Sequence, residues 1–421
     1  MTRPLRVLYY NTFLPMNSSE GMVSRQFLAA ARRLPDWELT TVPPYRETAV
    51  SANGAAPRRR KYAPAVLRRV ARSFLSPISP YPIGPYLHAR RMRERLTAVL
   101  HQNEPFDLAF FHLAQGDLAV LAETHARIHA PLVLRVPAPL AYEADYVLHR
   151  YMSRQDRQRE QFLYAEAAAI LVISTGMKQI LAESGVTPEK IFVYPNGVDT
   201  AAFDPEAARR AEMRRELGLD GRKVVGYVGS FWPGNDVNTL LQAWRQVEAV
   251  EPTAVLLLVG DGVKLVEARR QSEQLRLQNC RWLGRIPHTA VPDVMAAMDV
   301  AVGPYGREAL TFVSPLKVME YAAMARPVVA ADGGQIREIV QDGVTGHLYE
   351  PENAVQLTAK ILTLLADPPT AVAMGRRARV LMQDWYSWDK VAADVMKLCR
   401  NVAAGKAEPP AALPGQVATV V

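Results

Sequence analysis

Residues 224–262 read VVGYVGSFWPGNDVNTLLQAWRQVEAVEPTAVLLLVGDG and contain one complete strand–helix–strand unit. The short apolar runs 224–229 and 255–260 are typical of buried strands, and residues 237–250 between them have the apolar spacing of a helix. Strands that are joined through a helix pair in parallel, with a right-handed crossover. The stretch therefore predicts an α/β fold with a doubly wound parallel sheet.

The same alternation extends in both directions along the chain. Further strand candidates are residues 6–11, 38–42, 107–112, 132–136, 168–174, 281–284, 300–303 and 327–331. Helical patterns cover residues 22–34, 113–128, 150–167 and 291–298, and the first of them follows a loop at residues 17–21. Two such series predict two Rossmann-like doubly wound domains facing across a cleft. Ligands of such sheets bind outside the carboxyl ends of the strands, so the cleft is the expected site.

The domain boundary is expected near residue 200, at the sequence PNGVD of residues 195–199. This predicts a first domain over residues 1–200, with a basic insertion at about 51–100, and a second domain over residues 201–385. A C-terminal helix over residues 386–403 is expected to return to the first domain. Residues 404–421 are rich in Pro and Ala and are expected to be a disordered tail.

Composition excludes several classes of protein. The 421 residues are 49% hydrophobic and include two cysteines, which excludes a disulfide framework and fits a reducing cytoplasm. No apolar run approaches the ~18 residues that cross a bilayer, and the N-terminal apolar run is too short for a signal peptide. We therefore expect a cytoplasmic protein that does not span a membrane.

The net charge of +8 is concentrated in one segment, because residues 51–100 contain eleven Lys or Arg and a single acid, Glu94. A uniformly basic nucleic-acid binder would not have this distribution, so nucleic acid is not an expected partner. Residues 62–75 combine an apolar and an arginine-rich helix face after the basic residues 58–61. The segment 58–75 is typical of an interfacial helix on anionic lipid. The alternatives are a core-packing helix with solvated arginines and a site for an anionic acceptor.

The chemistry is expected at residues 312–324, FVSPLKVMEYAAM. Ser314 and Pro315 are a typical helix start, with Ser as N-cap and Pro as the first helical residue. The free N–H groups of a helix start favour a phosphate, and Lys317 adds a charge there. Glu320, three residues later on the same face, could accept hydrogen bonds from a ribose diol. The alternative interpretation is a plain helix cap with an exposed Lys–Glu pair.

The second half of the chain resembles the donor domain of family 4 glycosyltransferases, which are retaining enzymes of the GT-B architecture. The resemblance covers residues 165–390. Its motifs occur in the family's order, as VIS at 172–174, YPNGVD at 194–199, GYVGSF at 226–231, VGDG at 259–262, LGRIP at 283–287, residues 314–325, PVVA at 327–330, GG at 333–334 and GVTG at 343–346. APLAYE at residues 138–143 resembles a loop of a bacterial subgroup of this family.

The resemblance implies functions for individual residues. Glu320 matches the second Glu of the family's Glu-x7-Glu motif and would hold the ribose, whereas the first Glu is replaced by Phe312. Ser230 and Asn235 stand where the family commonly has the Arg and Lys that bind the diphosphate. Lys317 is the best replacement for those cations, because a Ser-Pro-x-Lys sequence accompanies the missing Glu in some subgroup members.

The implied catalytic residues are therefore Lys317, Glu320 and His112, the last at the end of a strand where the family has a His that contacts the donor. The residues expected to bind the donor are Gly21, Ser230, Asn235, Arg285, Ile286, Ser314, Pro315, Leu316, Lys317 and Glu320. Gly21 is expected in the loop after the first strand, where it would allow close approach to a ligand. A structural role for His112 is the alternative.

The resemblance implies transfer from a nucleotide-diphosphate sugar with retention of configuration, without a cofactor or metal. The sequence has no Asp-x-Asp and no ligand-spaced His/Cys/Asp cluster. The expected acceptor is lipid-linked or anionic, and the expected pathway makes glycoconjugates, polysaccharides or natural products. A catalytically degenerate GT-B scaffold stays open as the alternative, because Ser230, Asn235 and Phe312 depart from the family pattern.

Overall fold

The computed structural model describes residues 3–14, 16, 19–43, 83–103, 105–142, 144, 152–311 and 313–406 of the chain. The predicted interfacial segment 58–75, Phe312, Glu143 and the tail beyond residue 406 lie outside the described residues.

Strands of three to six residues alternate with helices throughout the described ranges. The strands are β1 Leu5–Tyr10, β2 Trp37–Val42, β3 Leu108–His112, β4 Leu132–Val136, β5 Ala169–Val172, β6 Ile191–Val193, β7 Val224–Val228, β8 Val255–Val259, β9 Cys280–Gly284, β10 Val300–Gly303, β11 Val328–Ala331 and β12 Gly346–Tyr349. The helices are α1 Ser19–Arg32, α2 Ile83–Gln102, α3 Leu118–Thr124, α4 Leu140–Tyr142, α5 Arg154–Glu166, α6 Thr175–Glu183, α7 Arg210–Glu216, α8 Val237–Val250, α9 Leu265–Gln274, α10 Val291–Ala296, α11 Leu316–Ala323, α12 Ile336–Ile339, α13 Ala354–Ala366, α14 Pro368–Trp385 and α15 Trp388–Ala403.

The chain forms two compact units. Of the described residues, the first comprises those within 1–172, 178–193 and 393–406, and the second comprises those within 173–177 and 194–392. The limits expected from the sequence, at residues 200, 385 and 403, stay predictions.

The first unit contains a six-stranded sheet in the order β2-β1-β3-β4-β5-β6. All of its neighbouring strands pair in parallel. β3 and β4 are buried along their whole length, because helices cover both faces of a doubly wound sheet. The carboxyl ends of β1 and β3 carry Asn11 and His112, and both side chains are buried.

The second unit repeats this plan with the order β12-β11-β10-β7-β8-β9, again parallel throughout. β7 and β8 are fully buried at the centre. Helix α8 begins where predicted, because the Asp236 carboxylate accepts a hydrogen bond from the backbone N–H of Thr239 at 3.1 Å. Its apolar face places Trp244 in the core. Two six-stranded parallel sheets confirm the predicted α/β class.

Two predicted elements are wrong in detail. Residues 113–128 form no continuous helix, because 3₁₀ turns at Gln115–Asp117 and His125–Arg127 flank the short helix α3. Helix α1 begins at Ser19, so Gly21 lies in its first turn and not in the preceding loop. Among the helices of the described ranges, none combines the length and apolar character that a membrane span needs.

Candidate functional site

A cavity of about 460 Å³ lies in the second unit, at the carboxyl ends of β7 and β8. This is where a doubly wound parallel sheet binds ligands. The wall is formed by Val228, Gly229, Ser230, Val259, Gly260, Asp261, Gly262, Arg285, Ile286 and Val291. Three residues predicted to bind the donor, Ser230, Arg285 and Ile286, therefore share one cavity.

The loops that follow β7 and β8 approach each other closely at this cavity. Gly260 has a φ of +134°, and a Cβ atom there would lie 1.8 Å from the backbone oxygen of Gly229. The backbone N–H of Gly229 donates to the carbonyl of Val259 at 3.0 Å, which holds the loops together. Glycine is required at position 260 because any side chain would separate them.

Helix α11 begins at Leu316, one residue later than predicted. Pro315 is at the N-cap position, so the assignments of Ser314 as N-cap and Pro315 as first helical residue are wrong. The Ser314 hydroxyl instead accepts a hydrogen bond from Nδ2 of Asn196 at 2.9 Å. Leu316 packs against the hydrophobic core. No side chain caps α11, but the N–H groups of Leu316 and Val318 donate to the carbonyls of Ser314 and Pro315 at 2.9 Å each. Among the described residues the N–H of Lys317 has no acceptor, so it is the first-turn donor left for an anion.

Lys317, in the first turn of α11, lies against the cavity wall. Its ammonium donates a hydrogen bond to Oδ1 of Asn235 at 2.6 Å and lies 3.9 Å from the centroid of the Tyr305 ring. Its Cε atom packs on Gly229, where a Cβ would lie only 2.7 Å away. The surrounding protein lowers the pKa of Lys317 to about 7, although the charge of Glu320 opposes this.

Glu320 follows one turn later, and 17% of its side chain is exposed. Burial raises its pKa to about 7, against the opposing effect of Lys317. Nε2 of His288 lies 3.9 Å from its carboxylate. The hydroxyl of the adjacent Tyr321 accepts from the N–H of Val228 at 2.7 Å, which fixes α11 to the end of β7. Lys317 and Glu320 therefore interact, as their spacing predicts.

Asn235 and Ser230 contact each other beside this helix. Nδ2 of Asn235 donates to the carbonyl of Ser230 at 2.8 Å and to its hydroxyl at 3.3 Å. The Tyr227 hydroxyl donates to the same carbonyl at 2.7 Å. The loop thus brings Ser230, Asn235 and Lys317 together, although Lys317 is 82 residues from Asn235 in sequence.

Gly21 and His112 belong to the first unit. A Cβ at Gly21 would lie 2.1 Å from the backbone oxygen of Met16, so this glycine permits close approach of the protein's own backbone. The expectation that Gly21 lies in a loop is wrong, because residues 19–21 already belong to α1, and its contact with the donor stays a prediction.

His112 ends β3 and is 1% exposed. Nδ1 lies 3.1 Å from Nδ2 of Asn11, an amide donor, so Nδ1 acts as the acceptor and Nε2 carries the proton. Nε2 has no hydrogen-bond partner within the described part of the chain, and the Glu20 carboxylate is 3.8 Å away. Burial and the charge of Arg135 lower the pKa of His112 well below its usual value. The neutral ring therefore presents an unused N–H donor.

Several neighbours of the site were not predicted. Tyr305, His288 and Asn196 contact Lys317, Glu320 and Ser314, respectively. In the first unit the buried Asp117 carboxylate accepts from Tyr10, Thr12 and His88. These contacts join distant segments, so no local spacing indicates them. In the ranges that the structure covers, no group of three His, Cys, Asp or Glu side chains could hold a metal ion.

Substitution of Gly229 tests the placement of Lys317. Gly229 has no left-handed φ, so Gly229→Ala places its new methyl group against side chains and not against backbone: 2.7 Å from Cε of Lys317 and 3.0 Å from the hydroxyl oxygen of Tyr227. We expect a modest fall in the thermal midpoint, because the lysine end can move whereas the buried Tyr227 ring must shift slightly. Nucleotide affinity should fall by about 10-fold, since the ammonium leaves the wall. Calorimetric titration and thermal unfolding measure the two effects, and unchanged affinity would contradict the placement.

The fold is that of a solved GT-B protein. The chain resembles HepE of Anabaena, solved in complex with UDP and glucose, with a TM-score of 0.67 and 19% sequence identity. The match covers 93% of this chain and 98% of HepE. A likeness at this identity shows the fold alone, and it confirms the predicted GT-B architecture.

Sequence comparisons match both halves of the chain. The family model for Glycosyltransferase Family 4 matches residues 46–202, and that for glycosyl transferases group 1 matches residues 222–367. The GDP-mannose-dependent alpha-mannosyltransferase of Mycolicibacterium smegmatis is 30% identical over 300 residues, which cover 70% of this chain and 73% of the relative.

A second protein of that organism, a GDP-mannose-dependent alpha-(1-6)-phosphatidylinositol monomannoside mannosyltransferase, is 32% identical over 198 residues, 46% of this chain and 52% of the relative. The chain spans between 49% and 61% of the length of several curated relatives that it matches. The likeness to the alpha-mannosyltransferase, in contrast, covers 73% of that relative at 30% identity. The chain therefore belongs to glycosyltransferase family 4.

Proposed function

We propose that the protein transfers a sugar from a nucleotide-diphosphate sugar to an acceptor, with retention of configuration and without a metal ion. One observation carries the proposal. The end of the Lys317 side chain packs behind Gly229, a wall residue of the 460 Å³ cavity, in the first turn of α11 and one turn from the Glu320 carboxylate. The Lys317 cation, its backbone N–H and a carboxylate acceptor match the diphosphate and the ribose diol of such a donor.

The diphosphate becomes the leaving group, so its developing negative charge must be stabilised. In this proposal the ammonium and the backbone N–H of Lys317 supply that stabilisation. Arg285 and Ile286 of the cavity wall then contact the nucleoside, and Glu320 accepts hydrogen bonds from the ribose. The position of Lys317 beside Ser230 and Asn235 supports its replacing the cations that the family has at those two places.

Retention follows when the acceptor attacks on the face that the diphosphate leaves. The bond from the acceptor oxygen to the anomeric carbon forms as the bond from that carbon to the phosphate oxygen breaks. The hydroxyl proton of the acceptor passes to the departing phosphate oxygen. No protein nucleophile is required, and the protein contributes position and electrostatics.

His112 is proposed to donate its Nε2–H to the donor sugar or phosphate. His112→Ala should lower the rate at saturating donor by about 10- to 100-fold, the value of one hydrogen bond to a developing charge. Because the low pKa keeps the ring neutral, the wild-type rate should show no His112 titration between pH 6 and 8. The pH–rate profile of both proteins measures this. An inflection near pH 6.5 that disappears in His112→Ala would contradict the neutral-donor role.

We propose a donor class and an acceptor on the basis of the relatives. The two mycobacterial relatives are named as GDP-mannose-dependent enzymes, and HepE was solved with UDP. The phosphatidylinositol monomannoside acceptor of one relative supports a lipid-linked acceptor for this chain. Together with the basic segment 58–75, this favours an enzyme that binds peripherally to the inner face of the cell membrane and acts in polysaccharide or glycolipid synthesis.

A donor-hydrolysis screen tests the proposal. The protein is incubated with UDP-, GDP-, ADP- and dTDP-sugars, and the products are identified by mass, with and without EDTA. Release of nucleoside diphosphate and free sugar, unaffected by EDTA, is expected. Absence of hydrolysis together with absence of a thermal shift by any nucleoside diphosphate would favour the degenerate scaffold. That alternative is motivated by Ser230 and Asn235 at the positions of the usual cations.

A further inference from the structure

We propose that Asn235 is a positioning residue that holds the Lys317 side chain at the cavity wall through a neutral amide, so that its ammonium keeps a charge available for the diphosphate. The proposal rests on the function proposed above. It changes the role predicted for Asn235, from contact with the donor to placement of the group that contacts it.

Asn235 uses both ends of its amide. Oδ1 accepts from the Lys317 ammonium at 2.6 Å, and Nδ2 donates to the carbonyl of Ser230 at 2.8 Å. The backbone N–H of Asn235 donates to the carbonyl of Trp232 at 2.9 Å, which closes the loop on itself. Since Ser230 lines the cavity, the amide connects the ammonium to the cavity wall.

The remaining neighbours hold the ammonium without neutralising it. The Tyr305 ring centroid is 3.9 Å from Nζ and the Tyr227 centroid is 5.7 Å away, so both rings offer cation–π contacts. Gly229 leaves room for the end of the lysine stem. Carbonyl oxygen and aromatic rings attract a cation as dipoles and quadrupoles, whereas a carboxylate would form an ion pair and compete with the phosphate.

The chemical requirement explains why an amide is present. Glu320 is the charged group that affects Lys317, and it lies one helix turn away rather than against the ammonium. An aspartate at 235 would occupy the same space as asparagine but would pair with Lys317 at hydrogen-bond distance. The nearly isosteric change should therefore reduce diphosphate binding more than complete removal of the side chain does.

The test compares three variants by calorimetric titration with UDP and GDP, using whichever nucleotide binds the wild type more tightly. We expect Asn235→Asp to weaken binding by about 100-fold and Asn235→Ala by about 10-fold. The matched control is Asn238→Asp, which adds the same charge at an exposed position three residues away and should change affinity less than about 2-fold. Thermal unfolding checks that each variant folds.

A Lys317→Met background separates action through Lys317 from direct repulsion of the ligand. There, Asn235→Asp should cause no further loss of affinity, measured at millimolar nucleotide. An equal loss in both backgrounds overturns the positioning role, as does wild-type affinity of Asn235→Asp. Failure of the wild type to bind any nucleoside diphosphate overturns the proposed function itself, and this inference with it. Normal binding by Lys317→Met alone likewise rejects the phosphate role of that residue.

Discussion

Lys317→Met should lower the rate of donor turnover by about 10²- to 10³-fold, the usual loss on removing one preorganised group that stabilises a developing negative charge. The reason is structural, because the end of the Lys317 side chain packs on Gly229 of the cavity wall, and Ser230 and Asn235 carry no charge to replace it. The ground-state affinity for the nucleotide should fall less than the rate. Steady-state hydrolysis of the donor identified by the screen measures both effects.

Two controls separate this effect from general electrostatics. Lys264→Met removes an exposed cation paired with Glu267, next to the cavity residue Gly262, and should leave turnover within about 2-fold. Replacement of the basic residues 58–61 should affect turnover of a soluble donor far less than Lys317→Met does. Equal, near-normal activity of Lys317→Met and the 58–61 variant would refute the phosphate role of Lys317.

Nucleotide affinity should be greatest near neutral pH, because Lys317 and Glu320 titrate in opposite senses. Glu320 must be ionised to accept the ribose hydroxyls, and its pKa of about 7 predicts weaker binding as the pH falls below 7. Lys317 must be protonated, and its pKa of about 7 in the free protein predicts weaker binding as the pH rises above 7. Glu320→Gln should remove the acid limb and cost about 10- to 100-fold in affinity at pH 8.

The same two groups should shape stability in the absence of nucleotide. Burial raises the pKa of Glu320 from 4.5 to about 7, so the folded state holds a proton that the unfolded state releases, and stability falls as the pH rises from about 4.5 to 7. The pKa of Lys317 falls from 10.5 to about 7, so stability rises as the pH rises from about 7 to 10.5.

Calorimetric titrations and thermal midpoints between pH 5 and 9 measure both dependences in the wild type, Glu320→Gln and Lys317→Met. Each variant should lose the pH dependence that its own residue causes and retain the pH dependence caused by the other residue. A flat affinity profile in the wild type, or an acid limb that survives in Glu320→Gln, would show that the pair does not contact the nucleotide.

The central strand–helix–strand unit could be predicted closely from the sequence. β7 and β8 are continuous apolar runs that end at glycines, and Asp236 marks the start of α8, so each boundary has a local physical cause. Residues 113–128 have no such boundary signals. Their apolar spacing is compatible both with one continuous helix and with a short helix between two 3₁₀ turns. The sequence therefore does not indicate the interruptions that the structure shows.

The site could be predicted only in part. The Lys317–Glu320 pair follows from helix spacing, and α11 begins at Leu316, one residue later than the usual placement of proline as first helical residue predicts. The partners of the pair could not be predicted. Asn235 reaches Lys317 across 82 residues, and His288 reaches Glu320 from a 3₁₀ turn after β9. Such contacts depend on how the loops fold over the sheet edge, which no local pattern encodes.

The central claim is that the amino end of α11 binds the diphosphate and ribose of the donor. A crystal structure with the nucleoside diphosphate that stabilises the protein most tests this claim most directly. The predicted result has a phosphate oxygen within hydrogen-bond distance of Nζ of Lys317, and both ribose hydroxyls on the Glu320 carboxylate. A nucleotide bound elsewhere, with Lys317 unmoved on Asn235 and Glu320 free of ribose, would contradict the account.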